Sequence, residues 1–421
     1  MAYHAIRFNL HQHCRLAHSK SLSLCSVPPS RPARLFISSV QRKGAQNSLP
    51  AAYYRGGTSR AIFFKRDDLP EDTSQWDKIF LGAIGSPDPY GRQLDGLGGG
   101  ISSLSKVCVV GPSSQPGREA DVDYTFVAIG VRDDTLDYSS NCGNMSAAVG
   151  PFAVDSGIYD VQSSSHGQGD DGSDLTTVRI YNTNTKKVIN ATFPVVDGEA
   201  AASGDFSIDG VSGTAARVQL DFVRPAGSRT GALLPTGNVA DEVEGVRATL
   251  IDAGNPCCFV SAVDLGVDGA MSAQQIDEDV QLLGKLEAIR RRAAVMMGLA
   301  KTTDKAPGSV PKIAFVSPPK GDGTSRGDIV VRAMSVGQPH KAIPVTVALA
   351  VAAAAKVPNS TVAENLHAGA GARMEQEGID ISHASGSLKV GAKFDAQGHL
   401  EFATVFRTAR RLMEGRVFWK K

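Results

Sequence analysis

The stretch that decides the fold is Ser139-Ser140-Asn141-Cys142-Gly143-Asn144-Met145, followed by the apolar run Ser146-Ala147-Ala148-Val149-Gly150-Pro151-Phe152-Ala153-Val154. The apolar run predicts a helix that is hydrophobic nearly all round, and such a helix must be wrapped by other elements. Small and polar residues surround one cysteine at its start. The sequence therefore predicts a buried central helix whose N-terminus carries Cys142.

The start of a helix favours negative charge, because its first amides have no partner within the helix and its dipole is positive there. Thiols in such positions ionise more readily than free cysteine, so Cys142 is a candidate base. Gly143 lets a ligand approach the backbone, and Asn141 and Asn144 offer amide donors. A buried structural cysteine is the alternative, but the Asn-Cys-Gly-Asn context favours a site.

The second half of the chain repeats this plan. A strand predicted over residues 329–334 and the polar Gly337-Gln338-Pro339-His340-Lys341-Ala342 precede a second apolar helix, predicted over residues 343–356. Pro344 suits the first turn of that helix. His340 and Lys341 stand at its entry, where Cys142 stands in the first half. Two apolar helices that each need a surrounding sheet predict two similar units.

Two loops of the first half are candidates for anion binding. Arg55-Gly56-Gly57-Thr58-Ser59-Arg60 separates two apolar runs and predicts a hairpin whose loop amides form an anion nest, with an ordinary turn as the alternative. Ser102-Ser103-Leu104-Ser105-Lys106 leads from a glycine-rich segment into a β-branched strand, without the spacing of a Walker loop. Lys106 either extends its ammonium to solvent from the strand edge or serves as an anion clamp or base.

Length and composition define the class of protein. The chain has 421 residues, which is too many for one ordinary core and predicts two globular units. A hydrophobic content of 42%, with 44 glycines and 6% aromatics, is typical of an α/β or β-rich enzyme with many turns. The six cysteines show no repeated spacing, which excludes a disulfide framework and a zinc motif. No apolar run approaches the roughly 20 residues of a membrane span.

The charge distribution separates the first 49 residues from the rest. They contain no Asp or Glu and seven of the 44 Lys and Arg residues, so the other 372 residues carry 37 basic and 43 acidic side chains, a net charge of −6. An acidic body argues against nucleic-acid binding. The basic leader, rich in Arg, Ser and His, is typical of an organellar transit segment, and a disordered leader without targeting function is the alternative.

Five motifs together resemble the PrpF family of aconitate and methylaconitate isomerases. They are Arg55-Gly56-Gly57-Thr58-Ser59, Ser102-Ser103-Leu104-Ser105-Lys106, Asn141-Cys142-Gly143-Asn144, Leu234-Pro235-Thr236-Gly237 and Arg407-Thr408-Ala409-Arg410-Arg411-Leu412-Met413-Glu414-Gly415. The resemblance implies an α+β, diaminopimelate-epimerase-like fold, in which two similar domains each wrap a β-barrel around a central helix. It divides the chain into a leader (1–49), a first domain (50–224 plus 405–421) and a second domain (225–404).

The resemblance also assigns roles to residues. Epimerases of this fold use one cysteine from each domain, whereas here the second position falls near His340 and holds no cysteine. PrpF-type isomerases instead pair the cysteine with a lysine, which implies Cys142 and Lys106 as the catalytic pair, without a metal or other cofactor. The candidate residues for binding three substrate carboxylates are Gly57, Thr58, Ser59, Ser102, Ser103, Asn141, Gly143, Asn144, Thr230, Asn255, His340 and Lys341.

The expected reaction is a 1,3-proton shift on an unsaturated tricarboxylate. Conversion of cis-aconitate to trans-aconitate is the leading expectation, because the leader suggests a eukaryotic chain in which this step serves itaconate formation. Isomerisation of 2-methylaconitate in propionate breakdown is the alternative, and a non-catalytic accessory protein to an aconitase-like iron–sulfur dehydratase is a third. The expected partner is a small-molecule tricarboxylate, with no nucleic acid or membrane, and a homodimer is allowed. The leader indicates mitochondria, whereas the family analogy indicates the cytosol.

Overall fold

We describe the fold from a computed structural model of the chain. The structure describes residues 46–114, 119–138, 141–161, 167–168, 174–320, 327–335, 337–370 and 378–420. Ser139, Ser140 and residues 1–45 of the leader lie outside the described residues, and Gln46–Lys421 form one compact unit. Across the described ranges, no helix is both long and apolar enough to cross a membrane.

The described ranges contain strands and helices in the following order along the chain. The strands are β1 (Asn47–Gly56), β2 (Ser59–Lys65), β3 (Lys106–Pro112), β4 (Val122–Ile129), β5 (Leu136–Asp137), β6 (Gly167–Gln168), β7 (Asp174–Asn182), β8 (Lys187–Val196), β9 (Glu199–Ala200), β10 (Arg217–Val223), β11 (Asp241–Val243), β12 (Val246–Asp252), β13 (Pro256–Ser261), β14 (Lys312–Ser317), β15 (Ile329–Ser335), β16 (Gln338–Pro339), β17 (Ile379–His383), β18 (Gly386–Phe394) and β19 (Leu400–Trp419). The helices are α1 (Trp76–Ile84), α2 (Gly143–Asp155), α3 (Ala262–Leu265), α4 (Ala273–Glu278), α5 (Val280–Met296), α6 (Val345–Ala355) and α7 (Thr361–Glu364).

Eight strands close into a barrel around helix α2. They pair in the order β1, β2, β3, β4, β7, β8, β10 and β19, and β19 returns to β1. The pairs β2–β3 and β4–β7 are parallel, and the others are antiparallel. Every α2 residue from Met145 to Val154 is buried inside this barrel. The prediction of a buried central helix that starts beside Cys142 is therefore confirmed.

The second half repeats the same order of pairings. Strands β12, β13, β14, β15, β17, β18 and β19 pair in sequence, and β13–β14 and β15–β17 are the parallel pairs. Helix α6 is buried from Val347 to Ala355 and packs against β12, β13, β18 and β19. The predicted repeat of strand, polar loop and apolar helix is present in both halves. The division into two domains stays a prediction, because β19 pairs with strands of both halves.

The C-terminal strand is longer than the sequence indicates. The apolar runs around residues 402–405 and 416–419 predict two short strands. Instead β19 is continuous and pairs with β18, β10 and β1 in turn. Residues 402–408 of β19 pair with β10 and residues 409–419 pair with β1, so the charged residues between the two apolar runs continue the strand. At the other end of the chain, β1 starts at Asn47, so the last residues assigned to the leader belong to the barrel.

Several helices begin or end at or near residues that commonly cap helices. Helix α5 starts after Asp279, whose carboxylate accepts a bond from the Leu282 amide at 2.9 Å. Helix α1 ends at Gly85, which has a φ of 84° that favours glycine. Helix α6 starts at Val345 rather than residue 343, because Pro344 is its N-cap and not part of its first turn.

Candidate active site

A cleft of about 1750 Å³ opens where the N-termini of α2 and α6 meet. A Cβ placed on Gly143, the first residue of α2, would lie 2.8 Å from Cγ1 of Val345, the first residue of α6. Residues 141–144 and 342–346 both line the cleft. Small-molecule pockets commonly measure roughly 300–1,000 Å³, so a small ligand fills only part of this space. The two helix starts lie together on one part of this cleft.

Both helix starts present amides without partners inside their own helix. In α2 the first intrahelical bond runs from the Ser146 amide to the Cys142 carbonyl, and in α6 from the Ala348 amide to the Pro344 carbonyl, each at 3.0 Å. Neither helix has an acidic residue in its first turn, and neither N-cap residue forms a side-chain cap bond. The two positive dipole ends therefore act on one volume, which favours an anionic ligand.

Substitution of Gly143 by alanine tests the contact between the two helices. The new methyl group would overlap three side-chain atoms of Val345, and a β-branched side chain has little freedom to turn away. We expect G143A to lower the free energy of unfolding by about 1–3 kcal/mol, measured by urea denaturation. The matched control is G284A, on an exposed position of α5 with no atom near the new Cβ; it should raise stability by about 0.5–1 kcal/mol. Equal stability of wild type and G143A would disprove the close contact.

Cys142 is half-buried at the N-terminus of α2 and lines the cleft. It is the N-cap residue and has extended backbone dihedrals. Among the described cysteines it alone is not buried, since Cys108, Cys257 and Cys258 are enclosed. The thiol that sequence reasoning singled out is therefore the one that a ligand in the cleft can reach.

Lys106 lies inside the first barrel. It starts β3 and is 8% exposed, with its Nζ 5.3 Å from the centre of the Phe126 ring. Strand alternation puts it on the same face as Cys108, which packs in the core around α2. Burial raises the pKa of the Cys108 thiol, while its hydrogen bond to Tyr124 and the nearby charge of Lys106 act in the opposite direction. Lys106 is not among the residues that line the cleft.

The ammonium of Lys106 has no hydrogen-bonded or ion-paired protein partner within the described ranges. Its recorded contact is with an aromatic face, which compensates only part of the lost hydration. A lysine is rarely buried without a counter-charge. The arrangement therefore favours an anionic ligand or a reacting group as its partner.

The hairpin between β1 and β2 is tighter than the sequence suggests. Only Gly57 and Thr58 form the turn, and the Gly57 amide donates to the Thr408 carbonyl at 2.9 Å. That amide is therefore not available for a ligand. Thr58 is exposed and lines the cleft, whereas Ser59 is buried and does not. Of the predicted anion nest, the Thr58 residue remains as the part that faces the cleft.

The second half contributes the equivalent hairpin and helix start. Asn255, in the turn between β12 and β13, and His340, before α6, line the cleft as predicted. Thr230 does not line the cleft. Its amide and its hydroxyl both donate to the buried Asp252 at 2.9 Å. Lys341 is exposed outside the cleft lining. Thr230 thus holds its loop to β12, while Asn255 and His340 face the space where a ligand would bind.

The predicted binding residues divide into two groups. Those that line the cleft are Thr58, Asn141, Gly143, Asn144, Asn255 and His340; those outside its lining are Gly57, Ser59, Ser102, Ser103, Thr230 and Lys341. Ser102 and Ser103 form a 3₁₀ turn just before Lys106. Ser105, next to Lys106, donates to the buried Gln93 side chain at 2.7 Å. That bond fixes the entry of β3 and so the start of the strand that carries Lys106.

Two cleft residues were missed by sequence reasoning. Arg407 is buried on β19, and burial lowers the pKa of its guanidinium to about 10 while the charge of Cys142 opposes that shift. His383 is at the end of β17, and burial lowers its pKa to about 4. Arg407 stood inside a motif that carried the resemblance, and an arginine beside Val405 and Phe406 in a buried strand was a usable signal. No comparable signal in the sequence pointed to His383, because it is a single histidine in a hairpin.

His383 makes the stability of the fold depend on pH. The residues that act electrostatically on it are Asp209, Arg332, His340 and Arg407. The unfolded chain binds a proton on this imidazole below pH about 6.5, whereas the folded chain does so only near 4. Stability from this group is therefore lost as the pH falls from about 6.5 towards 4.

We expect H383N to reduce that loss, since asparagine can accept the Ser385 amide as Nδ1 of His383 does at 3.2 Å but does not titrate. Denaturation midpoints at pH 7.5, 6.0 and 5.0 measure the effect. H399N is the matched control, because the His399 side chain is 80% exposed. Parallel wild-type and H383N curves across this range would contradict the assignment.

The charges around the cleft favour an acidic ligand. Six cationic and three carboxylate side chains line it; they are Lys187, Arg217, Arg229, Lys312, Lys389 and Arg407, and Asp205, Asp209 and Asp380. This excess lies in a chain whose body is acidic overall, so it is local to the cleft. Within the described part of the chain, no group of three or more His, Cys, Asp or Glu side chains is arranged to hold a metal ion.

The sequence profile of the PrpF protein family matches residues 46–420. This chain belongs to the PrpF family. The match covers the whole of the described fold and includes all the candidate site residues, so the resemblance based on the five motifs is confirmed.

Relatives of this PrpF family member are similar over nearly their full length. The 2-methyl-aconitate isomerase of Shewanella oneidensis is 41% identical over 395 residues, covering 88% of this chain and 96% of that protein. The (4E)-oxalomesaconate Delta-isomerase of Novosphingobium sp. strain KA1 is 40% identical, covering 90% and 99%. The crystal structure of a methylitaconate-delta-isomerase has a TM-score of 0.78 at 38% identity, covering 89% of this chain and 96% of that one. The fold is therefore that of the methylitaconate-delta-isomerase.

Proposed function

We propose that this protein is an isomerase that moves the double bond of an unsaturated tricarboxylate by a 1,3-proton transfer, with Cys142 and Lys106 as the acid–base pair. The observation that carries the proposal is the cleft at the two helix starts, which combines an accessible thiol with an excess of cations. The names of the relatives share isomerisation of an unsaturated carboxylic acid.

The proposed substrate is cis-aconitate and the product is trans-aconitate. One residue of the pair removes a proton from the CH2 group, which is acidified by its carboxylate and by the conjugated alkene. The electrons delocalise through the alkene to a carboxylate, giving a dienolate. A proton then adds at the far alkene carbon, and the double bond ends one position along. The protons balance without net oxidation or reduction, so the reaction needs no redox cofactor.

The surroundings of the pair support this chemistry. The amides at the starts of α2 and α6 and the cations of the cleft stabilise negative charge, which is greatest in the dienolate. The role of Lys106 requires its ammonium to reach the ligand from the barrel interior, beside the start of α2. Because one residue of the pair removes a proton and the other returns one, the returned proton is the one that the acid carried when the substrate bound.

A second candidate substrate is 2-methylaconitate. The 41% identity to a 2-methyl-aconitate isomerase favours it, whereas the basic leader, which suggests a eukaryotic chain, favours cis-aconitate. The two acids differ by one methyl group, which is worth only about 1–3 kcal/mol of discrimination in a pocket. Activity on both is therefore expected, with a preference that kinetics must measure.

The test is turnover of each acid by the purified protein in D2O, followed by NMR. We expect trans-aconitate to form from cis-aconitate, with solvent deuterium in the product because the residue that returns a proton has exchanged its hydrogen with D2O. A higher kcat/KM for 2-methylaconitate would assign the second candidate instead. Absence of turnover with both acids would overturn the proposal and favour the accessory role beside an iron–sulfur dehydratase.

The cellular location is a separate proposal. We infer import into mitochondria from the acid-free basic leader, with a cytosolic enzyme as the alternative. A fusion of residues 1–49 to a fluorescent protein, compared with the same fusion after its seven basic residues are changed to glutamine, would distinguish the two. Homodimer formation is checked by light scattering of the full chain.

A further inference from the structure

Arg407 is a buried cation that has no counter-anion among the described residues. It is 8% exposed and lines the cleft beside Asn144. Its Nε donates to Oδ1 of Asn144 at 3.0 Å, and its Nη1 donates to the Phe406 carbonyl at 3.1 Å. Within the described ranges no carboxylate pairs with it, and its Nη2 has no hydrogen-bond acceptor. A guanidinium carries five N–H donors, so most of its donor capacity is unused.

Burial of an unpaired charge is unfavourable and is usually compensated by an opposite charge. The desolvation is visible in the lowered pKa of Arg407, about 10. Because no described carboxylate pairs with Arg407, its position at the cleft favours a ligand as the source of the compensating anion. The guanidinium geometry fits a carboxylate through two parallel hydrogen bonds.

Arg407 also sets the direction of a short chain of hydrogen bonds. Because Oδ1 of Asn144 accepts from Arg407, its Nδ2 is the end that donates to Oγ1 of Thr58, at 3.1 Å. The Thr58 hydroxyl therefore accepts from the protein and keeps its own hydrogen for a ligand in the cleft. Gly57 makes room for this chain, since a Cβ there would lie 2.3 Å from Oδ1 of Asn144.

We propose that Arg407 and Thr58 bind one carboxylate group of the substrate at the start of α2, and that Asn144 is a positioning residue that holds both donors in place. The identity of the ligand as a polycarboxylate rests on the proposed function. The subsite places negative charge next to Cys142, at the positive end of the helix. It gives the PrpF family member a fixed anchor for the acid, independent of the reacting carbons.

The test uses tricarballylate, a saturated tricarboxylate that has no double bond to move, as a binding probe for the full chain in calorimetry. We expect R407Q to weaken its binding by about 10- to 100-fold, in line with loss of a hydrogen-bonded charge pair, and R407K to recover part of this loss. The matched control is R410Q, an exposed arginine on the same strand outside the cleft lining, which should bind within twofold of wild type.

Thr58 gives a second variant that cannot disturb the core, because its side chain is exposed. We expect T58V to weaken tricarballylate binding about 5- to 20-fold and T58S to restore it. Wild-type affinity in both folded R407Q and T58V would overturn the subsite; if R407Q does not fold, wild-type affinity in T58V alone overturns the shared anchor. If wild type binds tricarballylate in this way but isomerises neither acid, the proposed function fails while the subsite stands. If the wild type isomerises either acid while R407Q and T58V keep the wild-type KM and affinity, the proposed function stands and the subsite fails.

Discussion

C142S is expected to reduce kcat by about 10²- to 10⁴-fold, the range for loss of a general acid or base, while tricarballylate binding stays near that of wild type. A serine hydroxyl fits the same half-buried position at the start of α2 but does not ionise under the conditions in which a thiol can. The substitution therefore removes proton transfer and keeps the cleft. The measurement is initial rates with each candidate acid, together with calorimetry of the probe.

Alkylation of the Cys142 thiol tests its role in catalysis independently of the C142S variant. Iodoacetamide should inactivate wild type by modifying Cys142, and bound tricarballylate should slow this reaction, as peptide mapping would show. C258A is the control, because Cys258 is enclosed in a different part of the core; it should keep normal kinetics and normal alkylation at Cys142. Wild-type turnover in C142S would remove the thiol from the mechanism.

K106M is expected to reduce kcat by a similar factor and to leave the fold as stable as wild type, or more stable by about 1–3 kcal/mol. Methionine keeps most of the length and the contact with Phe126, while it removes a buried ammonium that has no protein anion beside it within the described chain. Replacement of buried charge by a hydrophobic side chain of similar volume is often neutral or stabilising. Stability gained together with activity lost is the signature of a residue kept for function.

The two readouts separate a catalytic Lys106 from a structural one. A structural lysine would lose stability in K106M and keep kcat in the molecules that remain folded. Thermal unfolding and active-site titration on the same samples supply both numbers. K78M, on helix α1 and exposed, is the control for general effects of the substitution. Unchanged kcat in K106M would leave Cys142 without its partner and would refute the proposed pair.

Much of the fold could be predicted because local patterns and tertiary contacts agree. The apolar helices α2 and α6 contain almost no polar residue, so only an enclosed position satisfies them. Helix α1 ends beside Gly85 and helix α5 starts after Asp279, so glycine and a capping carboxylate mark these ends locally. By contrast, the sequence predicts two strands where β19 is one, because its charged middle is polar in sequence but pairs with distant strands β10 and β1 in turn.

The candidate site could be predicted in part. Residues next to a helix start, such as Cys142 and Asn144, were found because the helix itself fixes where they lie. Thr230 was assigned to the ligand, but its donors are used by Asp252, a contact across 22 positions of sequence. The sequence assigned no role to Arg407. Its partner Asn144 is 263 residues away in the chain, and only the fold brings the two together at the cleft.

The sequence by itself determined the two buried helices, the polar starts that precede them and the family to which the chain belongs. Those features are local, because hydrophobic periodicity and helix-end chemistry act within a few residues. Tertiary structure alone decided that the two starts face each other, that β19 carries Arg407 to Asn144 and Thr58, and that His383 is held neutral. Burial and ligand geometry depend on which distant strands pair, and the free energy of that pairing is shared over the whole barrel rather than encoded in any one motif.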